Sequence, residues 1–118
     1  MTPVRGGGLV PALSAEDLAR SLPSLEGRVA LTVESFRQLP GASLSFDDLA
    51  ALVARALELA EGGADGLVVT QGTDSLEETA YLLDLLWSRD EPLVVTGAMR
   101  SAQAPGADGP ANLTAAII

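Results

Sequence analysis

The stretch that most constrains the fold of this chain lies at residues 67–78 and reads Leu-Val-Val-Thr-Gln-Gly-Thr-Asp-Ser-Leu-Glu-Glu. The apolar start is typical of a short buried strand, which is interrupted at Gly72. Asp74 or Ser75 can then cap a helix whose first turn carries two glutamates. Ligands of open α/β sheets bind beyond the carboxyl ends of strands, near helix N-termini. The side chains of Thr73, Asp74 and Ser75 are therefore candidate functional groups.

The same order of strand and helix recurs along the chain and predicts an α/β fold. Strands are predicted at residues 28–35, 66–70 and 93–96, and helices at 14–22, 45–60, 75–88 and from 110 onward. The first strand is predicted from its alternation, which assigns Val29, Leu31 and Val33 to one buried face. The first twelve residues, with three consecutive glycines, are expected to form a loop, and the helix at 75–88 is apolar enough to be buried. Crossovers of this length are right-handed and join parallel strands. We predict a three-layer, Rossmann-like architecture in which helices flank a parallel three-stranded sheet.

Composition argues against several classes of function. The 118 residues include no histidine and no cysteine, which excludes Ser-His-Asp and Cys-His catalysis within the chain and argues against the usual zinc sites. The net charge of -9, without a basic run, makes nucleic acid an unexpected partner. No apolar run reaches about 18 residues, so no membrane span is predicted. Residues 1–14 lack the apolar core of a secretory signal, and we expect a cytoplasmic protein.

Four segments, in order and at similar spacing, resemble the L-asparaginase/glutaminase family. They read Gly-Leu-Val-Pro-Ala-Leu-Ser at 8–14, Thr-Gln-Gly-Thr-Asp-Ser-Leu-Glu-Glu-Thr-Ala at 70–80, Val-Val-Thr-Gly-Ala-Met-Arg at 94–100 and Ala-Asp-Gly-Pro-Ala-Asn-Leu at 107–113. The resemblance implies that residues 1–118 are one partial N-terminal asparaginase domain. The family's Thr-Gly-Gly-Thr-Ile-Ala strand, its catalytic lysine and its C-terminal domain are not found in this sequence.

The resemblance implies a site that hydrolyses L-asparagine to L-aspartate and ammonia, with no cofactor and no metal. Thr73 would be the second catalytic threonine, acting as a nucleophile or activating the attacking water. Asp74 would bind the α-ammonium group of the amino-acid amide. Main-chain groups of Gly72 and Ala98 would frame the side-chain amide. Family members are homo-oligomers, dimers or tetramers, which implies the same for the protein that carries this chain.

The sequence also departs from the family pattern. Gln71 stands where the family usually has histidine, and Ser75 where it usually has threonine. The loop that usually offers a substrate-binding serine has Gly41 and Ala42, which can contribute main-chain groups but no hydroxyl. With these departures and the missing parts, we expect the 118-residue chain alone to be inactive. Two other interpretations stay open: a non-catalytic, shortened paralogue that pairs with another chain, and the asparaginase-like subunit of a tRNA-dependent amidotransferase.

Several polar residues have plainer interpretations. The plainer interpretation of the Thr-Asp pair at 73–74 is that it caps a helix and has no other role, since such residues are common at helix N-termini. Asp108 and Asn112 are expected to order a loop and to cap the last helix. Arg100 fits equally well a role in tying down the loop at 101–107 or a contact with substrate.

Overall fold

The structure is a computed structural model that describes residues 2–3, 9–10, 17, 20, 22, 25, 27–37 and 43–118, and the statements below concern these residues. In chain order the elements are β1 (Thr2–Pro3), β2 (Leu9–Val10), α1 (Phe46–Glu61), β3 (Leu67–Thr70), a 3-10 turn (Thr73–Ser75), α2 (Leu76–Leu86), β4 (Leu93–Thr96) and α3 (Gly109–Ile117). The α/β class, with a parallel sheet and flanking helices, is confirmed. The helix predicted at 14–22 falls mostly outside the described residues.

The parallel sheet is formed by β3 and β4. The two strands pair in register from Leu67 opposite Leu93 to Thr70 opposite Thr96. One further backbone hydrogen bond continues the pairing at the carboxyl end, where Gln71 N–H donates to the carbonyl oxygen of Thr96 over 3.0 Å. Both strands therefore end at the same edge of the sheet, as predicted for the second and third strands.

The predicted strand at residues 28–35 is wrong. The structure describes this segment and assigns no strand to it, so the parallel sheet of the described residues has two strands instead of three. Val29 and Leu31, which the alternating pattern assigned to a buried face, are exposed. The physical reason is that alternation specifies which face of a strand can be buried, but a strand also needs a partner for its backbone hydrogen bonds, and no described strand pairs with this segment.

The first residues also differ from the prediction of a loop. β1 and β2 form a short antiparallel pair, with Thr2 opposite Val10 and Pro3 opposite Leu9. The glycines at 6–8 lie between the two strands, outside the described residues. The prediction of a loop is therefore wrong at the four paired residues.

α1 confirms the helix predicted at 45–60. Ser45 Oγ accepts the N–H of Asp48, and the Asp48 carboxylate accepts the N–H of Ser45, which completes a capping box. These bonds, first the one from the Ser45 N–H, lower the pKa of Asp48. The buried side chains recur at helical spacing: Leu49, Val53, Ala56 and Ala60.

α2 is less buried than its sequence indicates. Thr79 and Leu83 are the most deeply buried side chains, at 1% and 2% exposure. Tyr81, Leu85 and Leu86, by contrast, are exposed. The prediction of a buried helix is therefore correct for one face only, because the other face has no packing partner among the described residues.

Candidate functional site

The carboxyl edge of the sheet carries the residues that the sequence singled out. After Gln71 completes the pairing with Thr96, the chain leaves the sheet at Gly72, whose backbone is extended at φ -62° and ψ 151°. The 3-10 turn Thr73–Ser75 follows and leads directly into α2. This path places Thr73 and Asp74 between the end of a strand and the start of an eleven-residue helix.

The interpretation of these side chains as helix caps is wrong. Ser75 is the N-cap residue of α2 and makes no side-chain capping hydrogen bond, and the N-cap of the 3-10 turn is Gly72, which has no side chain. Ser75 Oγ instead accepts a hydrogen bond from Gln71 Nε2 over 3.3 Å. Capping is therefore not what the polar groups of this turn do.

Thr73 and Asp74 keep their side-chain polar groups available. Within the described part of the chain, neither the Thr73 hydroxyl nor the Asp74 carboxylate takes part in a hydrogen bond or an ion pair. Thr73 is half-buried and Asp74 is exposed. A hydroxyl and a carboxylate are thus presented side by side, both able to bind a ligand with an ammonium group and an acceptor.

Gly97 brings the loop after β4 against the turn after β3. A Cβ atom added to Gly97 would lie 2.5 Å from the Gln71 carbonyl oxygen and 3.3 Å from Thr73 Cγ2. No side chain fits at the first distance, so this close approach requires glycine. Thr73 and Gly97 therefore lie at one edge of the sheet, and Ala98 follows directly at that edge.

The first turn of α3 anchors the loop after β4. The two carboxylate oxygens of Asp108 accept the N–H groups of Met99 at 2.9 Å and Arg100 at 3.0 Å. These bonds, the one from Met99 first, lower the pKa of Asp108. Asn112 Nδ2 donates to the carbonyl oxygen of Gly97 over 2.8 Å and to Asp108 Oδ2 over 3.2 Å. The prediction that Asp108 and Asn112 order a loop is confirmed.

The structure also tests the predicted helix cap at Asp108 and the predicted role of Arg100. Asp108 occupies the N-cap position of α3 but makes no side-chain capping bond, so the predicted cap is wrong. Its carboxylate is used by the loop instead. Arg100 Nη1 donates to the carbonyl oxygen of Gly106, whose φ of 72° favours glycine, and this contact supports the loop-tying role of Arg100. The sequence signal for this arrangement was the Asp-Gly-Pro at 108–110 with an asparagine four residues after the aspartate.

The remaining predicted site residues are not tested. Gly41 and Ala42 lie outside the described residues, so their substrate-binding role stays a prediction.

Among the residues that the structure does describe, no group of three acidic side chains is placed to hold a metal ion. None of the described helices combines the length and the apolar character that crossing a membrane requires.

Comparison with known proteins gives a consistent result. Residues 1–118 match the family model described as "Asparaginase, N-terminal". The chain is 40% identical over 103 residues to a glutaminase-asparaginase of Pseudomonas fluorescens biotype A, and the matched region covers 86% of the chain and 28% of that protein. It is 39% identical over 111 residues to L-asparaginase 2-3 of Saccharomyces cerevisiae, which covers 93% of the chain and 31% of that protein. The chain therefore spans less than one third of the length of either relative.

A solved structure shares the fold. The structure described as a probable cytoplasmic L-asparaginase from Campylobacter jejuni is similar with a TM-score of 0.84 and 34% sequence identity. The similarity covers 88% of this chain and 33% of that one. The similarity thus extends over most of this chain at the level of both sequence and fold.

Proposed function

Because the chain belongs to the asparaginase family, where it matches the N-terminal region, we propose that the protein carrying it hydrolyses L-asparagine to L-aspartate and ammonia. The observation that carries this proposal is the edge where β3 and β4 end. There Thr73 and Asp74 present a hydroxyl and a carboxylate that no described side chain or backbone group occupies. The loop at Gly97 packs against Thr73, and its main-chain groups are proposed to bind an amide.

Thr73 is the proposed catalytic hydroxyl. In the nucleophilic form of the reaction, its Oγ1 forms a bond to the amide carbon of the substrate, and its proton passes to a base. The carbon–nitrogen bond then breaks, ammonia leaves with a proton returned by that base, and water hydrolyses the resulting ester to L-aspartate and free Thr73. A threonine hydroxyl is a weak nucleophile and needs such a base nearby. The family resemblance implies a lysine as this base, and the seven basic residues of this chain are all arginines, so we propose that the base lies outside residues 1–118.

Asp74 is the proposed binding group for the α-ammonium of the substrate. An ionised carboxylate is an acceptor only, with two oxygens, and pairs well with a primary ammonium group. Asp74 is exposed, and neighbours Thr73 in the same turn. An exposed ion pair between a carboxylate and an ammonium group contributes about 1 kcal/mol or less. We therefore expect tight substrate binding only when the rest of the protein covers the site.

Main-chain groups are the proposed frame for the reacting amide. Gly72, Thr73 and Asp74 precede the first turn of α2, where backbone N–H groups lack partners inside the helix. N–H groups there favour negative charge, as develops on the amide oxygen when the carbon is attacked. Ala98 offers N–H and C=O groups on the facing loop, and Gly41 and Ala42 are proposed to contribute main-chain groups from outside the described residues.

We further propose that the complete protein acts in the cytoplasm as a homo-oligomer. The 118-residue chain by itself is proposed to be a partial N-terminal domain and to release no ammonia at an enzymatic rate. Removal of one member of a catalytic unit costs roughly 10³-fold or more, and this chain has no lysine or histidine to serve as the base.

The test is the release of ammonia from L-asparagine by the protein at its full natural length, with Asp74→Asn and Asp84→Asn as a matched pair. Both aspartates are exposed, and they lie ten residues apart in the chain, but Asp84 is on α2 away from the sheet edge. We expect Asp74→Asn to raise the KM for L-asparagine at least tenfold and Asp84→Asn to leave it unchanged. Equal effects of the two substitutions would contradict the role of Asp74. A natural-length protein without any amidohydrolase activity would instead favour the non-catalytic paralogue.

A further inference from the structure

The residues on both sides of Ala98 are anchored by side chains from the first turn of α3. Before Ala98, the carbonyl oxygen of Gly97 accepts a hydrogen bond from Asn112 Nδ2 at 2.8 Å. After Ala98, the N–H groups of the next two residues donate to the Asp108 carboxylate at 2.9 and 3.0 Å. The N–H and C=O of Ala98 itself make no hydrogen bond in the part of the chain that the structure describes.

Because each peptide unit is planar, these hydrogen bonds also determine the direction of the Ala98 N–H and C=O groups. In a trans peptide the C=O and the N–H of the same unit point to opposite sides. Asn112 holds the Gly97 C=O, so the N–H of Ala98 points away from Asn112. Asp108 holds the N–H of Met99, so the C=O of Ala98 points away from Asp108. Both polar groups of Ala98 are therefore directed away from the two anchoring side chains, and neither makes a hydrogen bond with a described residue.

We propose that Asp108 and Asn112 are positioning residues that hold the N–H and C=O of Ala98 in place for the side-chain amide of the substrate. This inference rests on the proposed function, in which Ala98 frames that amide. A primary amide has both N–H donors and a carbonyl acceptor, so the paired N–H and C=O of one residue match it. Asn112 also donates to Asp108, which joins the two anchors into one unit.

The hydrogen bonds of Asp108 and Asn112 affect the distance between the substrate amide and the Thr73 hydroxyl. Gly97 lies in close contact with the turn that carries Thr73, so displacement of the loop changes where an amide would sit relative to the hydroxyl. A misplacement of about 1 Å can lower a reaction rate roughly 100-fold. The neutral, isosteric variant Asp108→Asn retains one acceptor oxygen and can keep at most one of the two main-chain bonds at good geometry.

The experiment compares four proteins at full natural length: wild type, Asp108→Asn, Asn112→Ala and Thr114→Ala. Thr114 is the matched control, because its hydroxyl donates to the Pro110 carbonyl oxygen on the same helix and makes no hydrogen bond to the described residues of the loop. The readouts are the melting temperature, kcat/KM for L-asparagine, and the ratio of kcat/KM for L-asparagine to that for L-glutamine. The ratio is independent of the fraction of folded enzyme, so a merely structural role does not move it.

We expect Asp108→Asn and Asn112→Ala to lower kcat/KM for the preferred amide about 10- to 100-fold and to move the ratio toward one. Thr114→Ala is expected to change neither value by more than about twofold. An active wild type whose ratio is unchanged in both anchor variants overturns the inference and leaves the proposed function standing. If one anchor variant does not fold, the ratio in the other decides. An inactive wild type overturns the proposed function and the inference with it.

Discussion

The replacement Gly97→Ala tests the contact that brings the two sides of the site together. The added Cβ would lie 2.5 Å from the Gln71 carbonyl oxygen, so the backbone must move by at least 0.5 Å to reach even a tight 3.0 Å contact. The φ of Gly97 is not positive, so the effect comes from contact and not from backbone conformation. Forcing an extra carbon into a packed position typically destabilises by about 1–3 kcal/mol. The accompanying displacement between Ala98 and Thr73 should lower kcat/KM roughly 10- to 100-fold.

The assay is chemical unfolding together with ammonia release from L-asparagine, with Gly109→Ala as the matched control. A Cβ on Gly109 would meet Ala98 Cβ at 3.5 Å, an ordinary contact, and Gly109 is in the first turn of α3. Alanine there should be neutral or stabilising by about 0.4–1 kcal/mol, because it reduces the conformational freedom of the unfolded chain. A Gly97→Ala protein that is as stable and as active as Gly109→Ala would refute the close-packed arrangement of the two loops.

Three further predictions concern stability, pH and association. Leu83→Ala should lower the free energy of unfolding by about 2–5 kcal/mol because Leu83 is 2% exposed, whereas Leu85→Ala, at 62% exposure, should change it little in the same chemical unfolding experiment. The folded-state pKa of Asp108 is depressed, so its contribution is present above the ordinary value near 3.8 and is lost as the pH falls through the folded value; acid unfolding curves of wild type and Asp108→Asn should converge there. The 118-residue chain, which exposes Tyr81, Leu85 and Leu86 on α2, should associate in light scattering, and replacement of all three by Ser should reduce the association; a monodisperse wild-type monomer with a sharp melt would contradict this.

Local signals made the parts of the fold with local causes predictable. α1 has its capping box and its apolar stripe within one segment, so both its existence and its buried face follow from the sequence. β3 and β4 are short apolar runs bounded by glycine and proline, and they pair as parallel strands as expected. The segment at 28–35 has a regular alternation, yet no described strand pairs with it, and a pattern within one segment contains no information on a pairing partner.

Some features of the candidate site also follow from local sequence, whereas others depend on the fold. The strand-to-helix pattern and the family resemblance made Thr73 and Asp74 candidates, and both follow the carboxyl end of β3, the edge of the sheet that the pattern indicated. The capping role failed because Gln71 bonds Ser75 and because Gly72 begins the turn, choices that depend on the path of the loop. Gly97 packs against Gln71, which lies 26 residues earlier in the chain, and such a contact follows only from the fold.

The most direct test of the account is the rate of ammonia release from L-asparagine by the natural-length protein with and without Thr73→Ala. The Thr73 hydroxyl makes no hydrogen bond with any described residue, so its removal should leave the melting temperature within a few degrees of wild type. We expect the wild-type protein to release ammonia and the Thr73→Ala protein to release it more slowly by roughly 10³-fold or more. A folded Thr73→Ala protein that releases ammonia at the wild-type rate would contradict the account, since the reacting hydroxyl would then lie elsewhere.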